Sequence, residues 1–275
     1  VYPFASKRSK EDEEYKKEAQ KATFDLQNGR TGYIALWKEI MRVSVADLKK
    51  NYEKLNVGFE YWYGESDADK YVDELVSRLN EKHLMHESEG AMIVDLEEET
   101  DKAPVAPIII KKSDNSNLYS TTDLATIIQR EKDFAPDKIW YVVDTRQELH
   151  FTQVFRCAKK AGLTDAELEF LGFGTMNGKD GKPYKTREGG VMRLEYLVSA
   201  INEEMLKKIT ENQKSKEDLD IDQEEAVRTA KTVALSAIKY GDLSNQASKD
   251  YIFDIDRFTS FEGNTGPYIL YTIVR

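Results

Sequence analysis

Two pairs of polar side chains in the middle of the chain have the residue types and the spacing to bind a charged small molecule. Tyr119 and Asp123 lie four positions apart at the predicted start of a helix, so they share one helix face. A carboxylate beside a phenol offers a planar acceptor and a polar wall for a cation, above all a guanidinium. The structural alternative, which the spacing alone favours, is that Asp123 caps the helix and Tyr119 packs.

The second pair, Gln147 and His150, lies three positions apart at the predicted start of the following helix. This spacing puts both side chains on one helix face, just after the strand predicted to end at Asp144. A helix N-terminus favours phosphate or carboxylate groups, so the pair suits the anionic part of a ligand. An ordinary polar surface turn is the alternative, and the spacing alone favours it.

The segment 178–190 is rich in glycine and in basic residues. Its cations could neutralise a triphosphate or a pyrophosphate, and they are Lys179, Lys182, Lys185 and Arg187. A solvated hairpin tip explains the same composition equally well. The sequence contains no P-loop, no G-x-G-x-x-G motif and no nucleophile-elbow serine motif.

The other chemically versatile residues fit structural roles better. His83 and His86 lie on a polar helix end without further ligands at suitable spacing, so we expect exposed histidines and no metal site. Cys157 lies in an amphipathic stretch and is expected to be buried rather than nucleophilic. As the single cysteine, it excludes an internal disulfide and a Cys-rich zinc site.

The elements that must position these residues alternate between strand and helix. Apolar runs and helical spacing predict a strand in 104–112, a helix from Ser120 to Pro136, a strand over 138–144, a helix over 147–163 and a strand over 167–174. Ser120 and Asp123 approximate a capping box. This order is typical of parallel βαβ units, in which ligands bind beyond the carboxyl ends of the strands. The predicted fold class is therefore α/β.

Helices and one strand pair are predicted on either side of this region. A strand at 90–96 is expected to pair with 104–112 across an acidic loop. Alternating Val57, Phe59, Tyr61 and Tyr63 indicate a half-exposed strand. Helical spacing marks the segments 6–28, 32–43, 45–55, 69–85, 191–213, 226–240 and one beginning near Pro267.

Composition narrows the class of protein. The 275 residues carry a formal net charge of −10, which argues against a dedicated nucleic-acid coat. A hydrophobic fraction of 40% argues against global disorder, and no apolar run reaches the roughly 20 residues of a transmembrane helix. The chain begins at Val1 and ends in the apolar YILYTIVR, so we expect a piece of a longer protein.

Seven segments, spread collinearly over most of the chain, give the sequence a family resemblance. It resembles the catalytic region of arginyl-tRNA synthetases through YWYGES, EGAMIVDL, KKSDNSNLYSTTDLA, WYVVDTRQELHFTQVF, GKDGKPYKTREGG, AIKYGDLS and FEGNTGPYILY. The resemblance implies the second half of a class I synthetase Rossmann-like parallel sheet, with an α+β insertion and a helical C-terminal extension. It also implies the domains 1–105 (inserted region), 106–190 (second half of the catalytic domain) and 191–275 (helices leading to a truncated anticodon-binding domain).

The resemblance implies a role for each candidate residue. Tyr119, Asp123 and Gln147 would bind arginine, with Asp123 accepting the guanidinium in bidentate fashion and Gln147 orienting the amino end. ATP would contact His150, Gln153 and Lys182. The segment from Lys182 to Arg187 stands where class I enzymes carry K-M-S-K, and in this degenerate version Lys185 and Arg187 are the expected catalytic residues.

The implied reaction joins arginine to ATP as arginyl-adenylate and then transfers arginine to tRNA(Arg). The expected partners are arginine, ATP and tRNA(Arg), with Mg²⁺ entering through ATP, no membrane, a monomeric state and a cytoplasmic location. The first class I signature, H-x-G-H, is absent from this sequence, so we expect the piece to be inactive alone.

Two other interpretations remain open at this point. The chain could be a non-catalytic binding or scaffold module that keeps the synthetase fold. A different class I enzyme, such as the cysteine synthetase, fits less well because the sequence has no Cys-rich zinc site and Asp123 suits a cation.

Overall fold

The computed structural model describes residues 2–112, 117–182, 193–214 and 222–275. The chain divides into two compact units, residues 1–58 and residues 59–275. The candidate site residues all belong to the second unit.

The first unit consists of three helices, α1 (Tyr2–Glu11), α2 (Glu13–Gln27) and α3 (Thr31–Lys54). The single helix predicted over 6–28 is wrong, because Asp12 interrupts it and caps α2 by accepting the Tyr15 backbone N–H at 3.0 Å. The separate helices predicted over 32–43 and 45–55 are one helix. No glycine or proline lies between them, so nothing ends the first.

The second unit begins with residues 59–64, which form neither helix nor strand. The strand predicted from the alternation of Val57 to Tyr63 is therefore wrong. Its alternating rings instead contact an aromatic side chain, with the Tyr61 ring 4.9 Å from that of Phe134. Alternation thus reflected an aromatic contact rather than strand pairing.

Regular elements follow from residue 65 onward. They are a 3₁₀ helix (Glu65–Tyr71), α4 (Val72–Glu81), β1 (Met85–Ser88), β2 (Ala91–Val94), β3 (Ile108–Lys111), α5 (Tyr119–Phe134), β4 (Lys138–Asp144), a 3₁₀ turn (Thr145–Gln147), α6 (Glu148–Ala161), β5 (Glu167–Phe173), β6 (Met176–Asn177), α7 (Leu194–Lys214), α8 (Gln223–Leu243), β7 (Tyr251–Ile252), α9 (Ile255–Phe258) and α10 (Gly266–Val274).

Strand pairing among the described residues gives three small sheets. β1, β2 and β3 form an antiparallel sheet, which confirms the predicted pairing of β2 with β3. β4 and β5 pair in parallel from Lys138↔Glu167 to Asp144↔Phe173, as a βαβ unit requires. The expectation that β3 joins this parallel sheet is wrong, because β3 pairs with β2. β6 and β7 form a short parallel pair.

The core of this unit lies under α5 and α6. Buried side chains from α4, β2, β3, α5, β4 and α6 form one cluster, whose largest members include Leu75, Leu79, Ile110, Leu124, Ile127 and Ile128. One face of β4 packs into this cluster through Ile139 and Tyr141, whereas Trp140 and Val142 on the other face are exposed. The mixed α/β class predicted from the sequence is confirmed. α8 packs separately against α7 and α10.

Candidate functional site

The first turn of α5 is attached to β3 by two side-chain hydrogen bonds. Ser120 Oγ donates to the Ile109 carbonyl at 2.7 Å, and Thr121 Oγ1 donates to the Ile110 carbonyl at 2.5 Å. Ser120 and Thr121 are both buried, so water competes little for these bonds. The helix start, which carries Tyr119, is therefore fixed on the core.

The cap of α5 differs from the predicted one. Leu118 is the N-cap residue, and its backbone N–H donates to Thr121 Oγ1 at 3.3 Å. The predicted capping box of Ser120 and Asp123 is therefore wrong, because Leu118 is the N-cap residue and Thr121 is the N3 residue that bonds back to it. Asp123 lies one turn inside the helix, which leaves its carboxylate available for another partner.

That partner is His150, the third residue of α6. The distance from His150 Nε2 to Asp123 Oδ2 is 2.7 Å, with side chains 14% and 33% exposed respectively. The centroid of the imidazole is 4.8 Å from that of the Tyr119 ring and 5.0 Å from that of the Phe151 ring. Packing of α5 against α6 thus brings together Tyr119, Asp123 and His150.

Among the residues that the structure describes, the Asp123 carboxylate has His150 as its side-chain partner. Within the described part of the chain, no lysine or arginine forms an ion pair with Asp123. By contrast, Glu74 pairs with both Arg78 and Lys132. A partly exposed carboxylate held by an imidazole and lacking a cation is suited to accept a cationic ligand.

Gln147 lies at the start of α6 but apart from this contact. It is exposed and is the N-cap residue, although its side chain makes no capping hydrogen bond. Just before it, Arg146 donates to both carboxylate oxygens of Asp144, and this contact lowers the Asp144 pKa to about 2. Asp144 is therefore paired locally, and Gln147 presents its amide to solvent.

Three further side chains of α6 fasten the connection between β2 and β3. Gln153 Nε2 donates to the Ala106 carbonyl at 2.8 Å, and Lys160 Nζ donates to the Asp95 carbonyl at 2.7 Å. Arg156 donates through both terminal nitrogens to Asp101 at 2.7 Å. These contacts hold α6 in place, and Gln153 already uses its amide within the chain.

The Asp101–Arg156 pair is also the clearest electrostatic feature beside α6. Hydrogen bonds from the Arg156 side chain and from the Glu98 backbone lower the Asp101 pKa to about 2. The side chains of Arg156 and Asp101 are only 21% and 14% exposed.

The glycine-rich and basic segment 178–190, called the basic loop below, is described only up to Lys182. Lys182 is exposed and closes a turn in which its carbonyl accepts the Gly178 N–H at 2.8 Å. Lys179, a candidate phosphate ligand by composition, is 3.0 Å from both Asp254 and Asp256. Lys185 and Arg187 lie outside the described residues.

Glu65 is a carboxylate that the sequence analysis did not single out. It accepts a hydrogen bond of 2.6 Å from Thr122 Oγ1, so it lies beside the residue that precedes Asp123. The 3₁₀ helix that Glu65 begins packs on α5. Its place in YWYGES, one of the segments that carry the family resemblance, was the available signal.

Cys157 is buried and the other two histidines are exposed, as predicted, although His86 lies in β1 rather than on a helix end. Cys157 is fully buried, and burial raises the pKa of its thiol to about 12. His83 and His86 are exposed, with His86 Nε2 3.6 Å from Asp95.

Within the described ranges, no group of three or more His, Cys, Asp or Glu side chains is arranged to hold a metal ion. None of the helices in those ranges has the length and apolar character needed to cross a membrane.

Comparison with known proteins identifies the family. The model of the catalytic domain of class I tRNA synthetases (R) matches residues 1–255. The chain belongs to this family. The resemblance drawn from the seven segments is therefore confirmed for the family.

Individual members of the synthetase family align along the whole chain. The chain is 64% identical to the arginine–tRNA ligase of Agathobacter rectalis and 58% identical to that of Alkaliphilus oremlandii. Each alignment covers 100% of this chain and 46% of the relative. The chain thus spans about half the length of these curated relatives.

A solved synthetase structure shares the fold. The crystal structure of arginyl-tRNA synthetase from Plasmodium falciparum superposes with a TM-score of 0.76 at 26% identity. The match covers 94% of this chain and 42% of that protein. The α/β architecture described above is therefore that of the synthetase family.

Proposed function

We propose that this chain is part of an arginine–tRNA ligase and supplies the arginine-recognising side of its catalytic cleft. The whole enzyme activates arginine with ATP to arginyl-adenylate and transfers arginine to tRNA(Arg). Family membership and the named relatives support this proposal. The chain alone, without H-x-G-H, is proposed to be inactive.

The observation that carries the proposal is the state of Asp123. Its carboxylate is partly exposed, is held by His150 and has no basic side chain against it within the described ranges. A guanidinium matches this acceptor through parallel N–H donors, whereas lysine presents a point charge. Tyr119, whose ring lies beside that of His150, would form a wall of the site, and the exposed amide of Gln147 would orient the amino end of the substrate.

The ATP side of the cleft is proposed to lie toward the basic loop. Lys182 is exposed at the base of the segment that contains Lys185 and Arg187, and these cations would stabilise the charge on the leaving pyrophosphate. His150 and Gln153 remain the predicted neighbours of adenosine, and Mg²⁺ would arrive with ATP. The rate of arginyl-adenylate formation would be increased by holding the arginine carboxylate against the α-phosphate of ATP.

The proposed organisation follows the family. Residues 1–105 form an inserted region, residues 106–190 complete the nucleotide-binding sheet, and residues 191–275 lead toward the anticodon-binding helices. A monomeric, cytoplasmic enzyme is proposed.

Replacement of the carboxylate tests the proposal. In the full-length ligase that contains this chain, Asp123→Ala should lower kcat/KM for arginine at least about 100-fold, because a charge-assisted bidentate contact is lost. The matched control is Asp133→Ala, an exposed carboxylate near the end of the same helix, which should leave kcat/KM unchanged. Both variants are compared by arginine-dependent ATP–pyrophosphate exchange in the presence of tRNA(Arg) and by circular dichroism.

A substrate analogue gives a second readout. L-citrulline has nearly the shape of arginine without its charge, so it should neither support exchange nor compete with arginine. Normal arginine kinetics in a folded Asp123→Ala enzyme would refute the assignment of Asp123.

A further inference from the structure

The contact between His150 and Asp123 limits where the imidazole proton can be. An ionised carboxylate only accepts hydrogen bonds, so the 2.7 Å contact requires a proton on Nε2 of His150. This holds whether the ring is neutral or positively charged. The contact uses Oδ2 and leaves the second lone pair of that oxygen and all of Oδ1 as acceptors.

The imidazole is itself fixed in place. Its ring contacts the rings of Tyr119 and of Phe151, the next residue of its own helix, and only 14% of the side chain is exposed. α6 is fastened in turn by Arg156 on Asp101 and by Lys160 on the Asp95 carbonyl. The donor offered to Asp123 therefore comes from a ring with little freedom to rotate or shift.

From this geometry we propose that His150 is a positioning residue for arginine recognition. Its Nε2–H holds one edge of the Asp123 carboxylate, so that the other edge faces the substrate guanidinium. The proposal rests on the proposed function, since it assumes that Asp123 binds arginine. It differs from the adenosine role that the resemblance implies for His150, and the two roles predict different kinetic effects.

The first test determines by NMR which ring nitrogen of His150 carries a proton in the 275-residue chain. Long-range ¹H–¹⁵N correlation spectra distinguish Nε2–H from Nδ1–H imidazoles, and the sequence has only three histidines. His83→Asn and His86→Asn, both at exposed positions, assign the His150 signals by elimination without disturbing the site. The expected result is the Nε2–H form or the doubly protonated ring, and a neutral Nδ1–H form would overturn the proposal.

The second test separates arginine from ATP in the full-length ligase. His150→Leu should raise the arginine KM at least about tenfold, because the carboxylate loses a charge-assisted hydrogen bond that orients it. The ATP KM should change less than about twofold. His150→Gln keeps an N–H donor near the position of Nε2, so it should recover most of the arginine affinity.

Each other outcome has a defined meaning. A higher ATP KM with an unchanged arginine KM would assign His150 to adenosine and overturn the proposal. Equal losses in His150→Leu and His150→Gln would also overturn it, since the donor would then not be what matters. If the unmodified ligase shows no arginine-dependent exchange with tRNA(Arg) present, the proposed function fails instead, while the tautomer measurement still decides the His150–Asp123 contact.

Discussion

The two sides of the proposed cleft are built by different means. On the arginine side, α5 and α6 carry Tyr119, Asp123 and His150 on helices whose opposite faces form the buried core. On the phosphate side, the basic loop begins at a turn, and its first lysine, Lys179, is held by exposed ion pairs with Asp254 and Asp256.

This difference in support has a physical consequence. Buried packing fixes helices in one arrangement, whereas exposed ion pairs contribute little to stability and are screened by salt. The proposed guanidinium acceptor, Asp123, is therefore held in place by the packing of the protein itself. The start of the basic loop depends instead on backbone hydrogen bonds of the residues that precede it. One of them runs from Gly174 N–H to the Ala247 carbonyl at 2.8 Å.

The largest effect should come from the core beneath α5. Ile110 on β3 is fully buried, and Ile110→Ala should lower the free energy of unfolding by ~2–5 kcal/mol through lost burial and a cavity. The neighbouring Ile109 is 40% exposed, so Ile109→Ala should cost less than ~1 kcal/mol. Both variants keep the backbone carbonyls that accept from Ser120 and Thr121.

Urea denaturation of the two isoleucine variants measures this difference. Arginine titration by calorimetry on the same variants tests whether the core supports the site. Equal destabilisation by the two substitutions would show that the α5 anchor does not depend on the buried face of β3.

A loss of stability of intermediate size is expected from substitution of Gly174, which precedes the basic loop. A Cβ at Gly174 would lie 2.2 Å from the Lys249 carbonyl carbon and 2.5 Å from the Asp250 nitrogen. Because both are backbone atoms, Gly174→Ala must displace one segment, at a cost of roughly 1–3 kcal/mol in the free energy of unfolding.

The matched control for this substitution is Gly178, four residues further along the chain. At Gly178 a Cβ would lie 3.2 Å from the Asp180 carboxylate oxygen, which can move, and 3.8 Å from the Lys182 carbonyl oxygen, which is an ordinary contact distance. Gly178→Ala should therefore cost clearly less than Gly174→Ala in the same urea experiment. A larger cost at Gly178 would mean that the loop is supported by its own turn rather than by the 247–250 segment.

The local elements of this fold were largely predictable from residue patterns. The helix predicted over 147–163 is α6, and it ends at Gly162, a glycine in the left-handed conformation that is common at helix C-caps. Pro267 predicted the start of α10 and occupies its first turn. Such signals act within a few residues of chain, so they do not depend on the rest of the protein.

Pairing partners were not predictable in this way. The apolar run of β3 fits an antiparallel neighbour as well as a parallel one, and the choice of β2 depends on tertiary packing. The same limit applies to the site. Spacing placed Tyr119 and Asp123 on one helix face, but the contact of Asp123 with His150 arises from the way α5 packs on α6.

The smallest change in stability is expected from removal of an ion pair on each side of the proposed cleft, Asp101–Arg156 beside α6 and Asp256–Lys179 at the basic loop. Arg156 holds the Asp101 pKa at about 2, below its ordinary value of 3.8. A lowered pKa in the folded state means that this pair stabilises the fold fully above pH 3.8 and loses that contribution as the pH falls toward about 2. Asp101→Asn should therefore lower the Tm at neutral pH, and the difference from the unmodified chain should shrink through that acid range.

Asp256→Asn is the matched control, since Asp256 pairs with Lys179 on the exposed surface. It should change the Tm less than Asp101→Asn does at neutral pH, because solvent screens an exposed pair. Thermal unfolding followed by circular dichroism from neutral pH to about pH 2 compares the two variants. If Asp256→Asn lowered the Tm more than Asp101→Asn, the ion pair at the basic loop would contribute more stability than the one beside α6. That result would contradict the proposed contrast between packed helices and surface ion pairs.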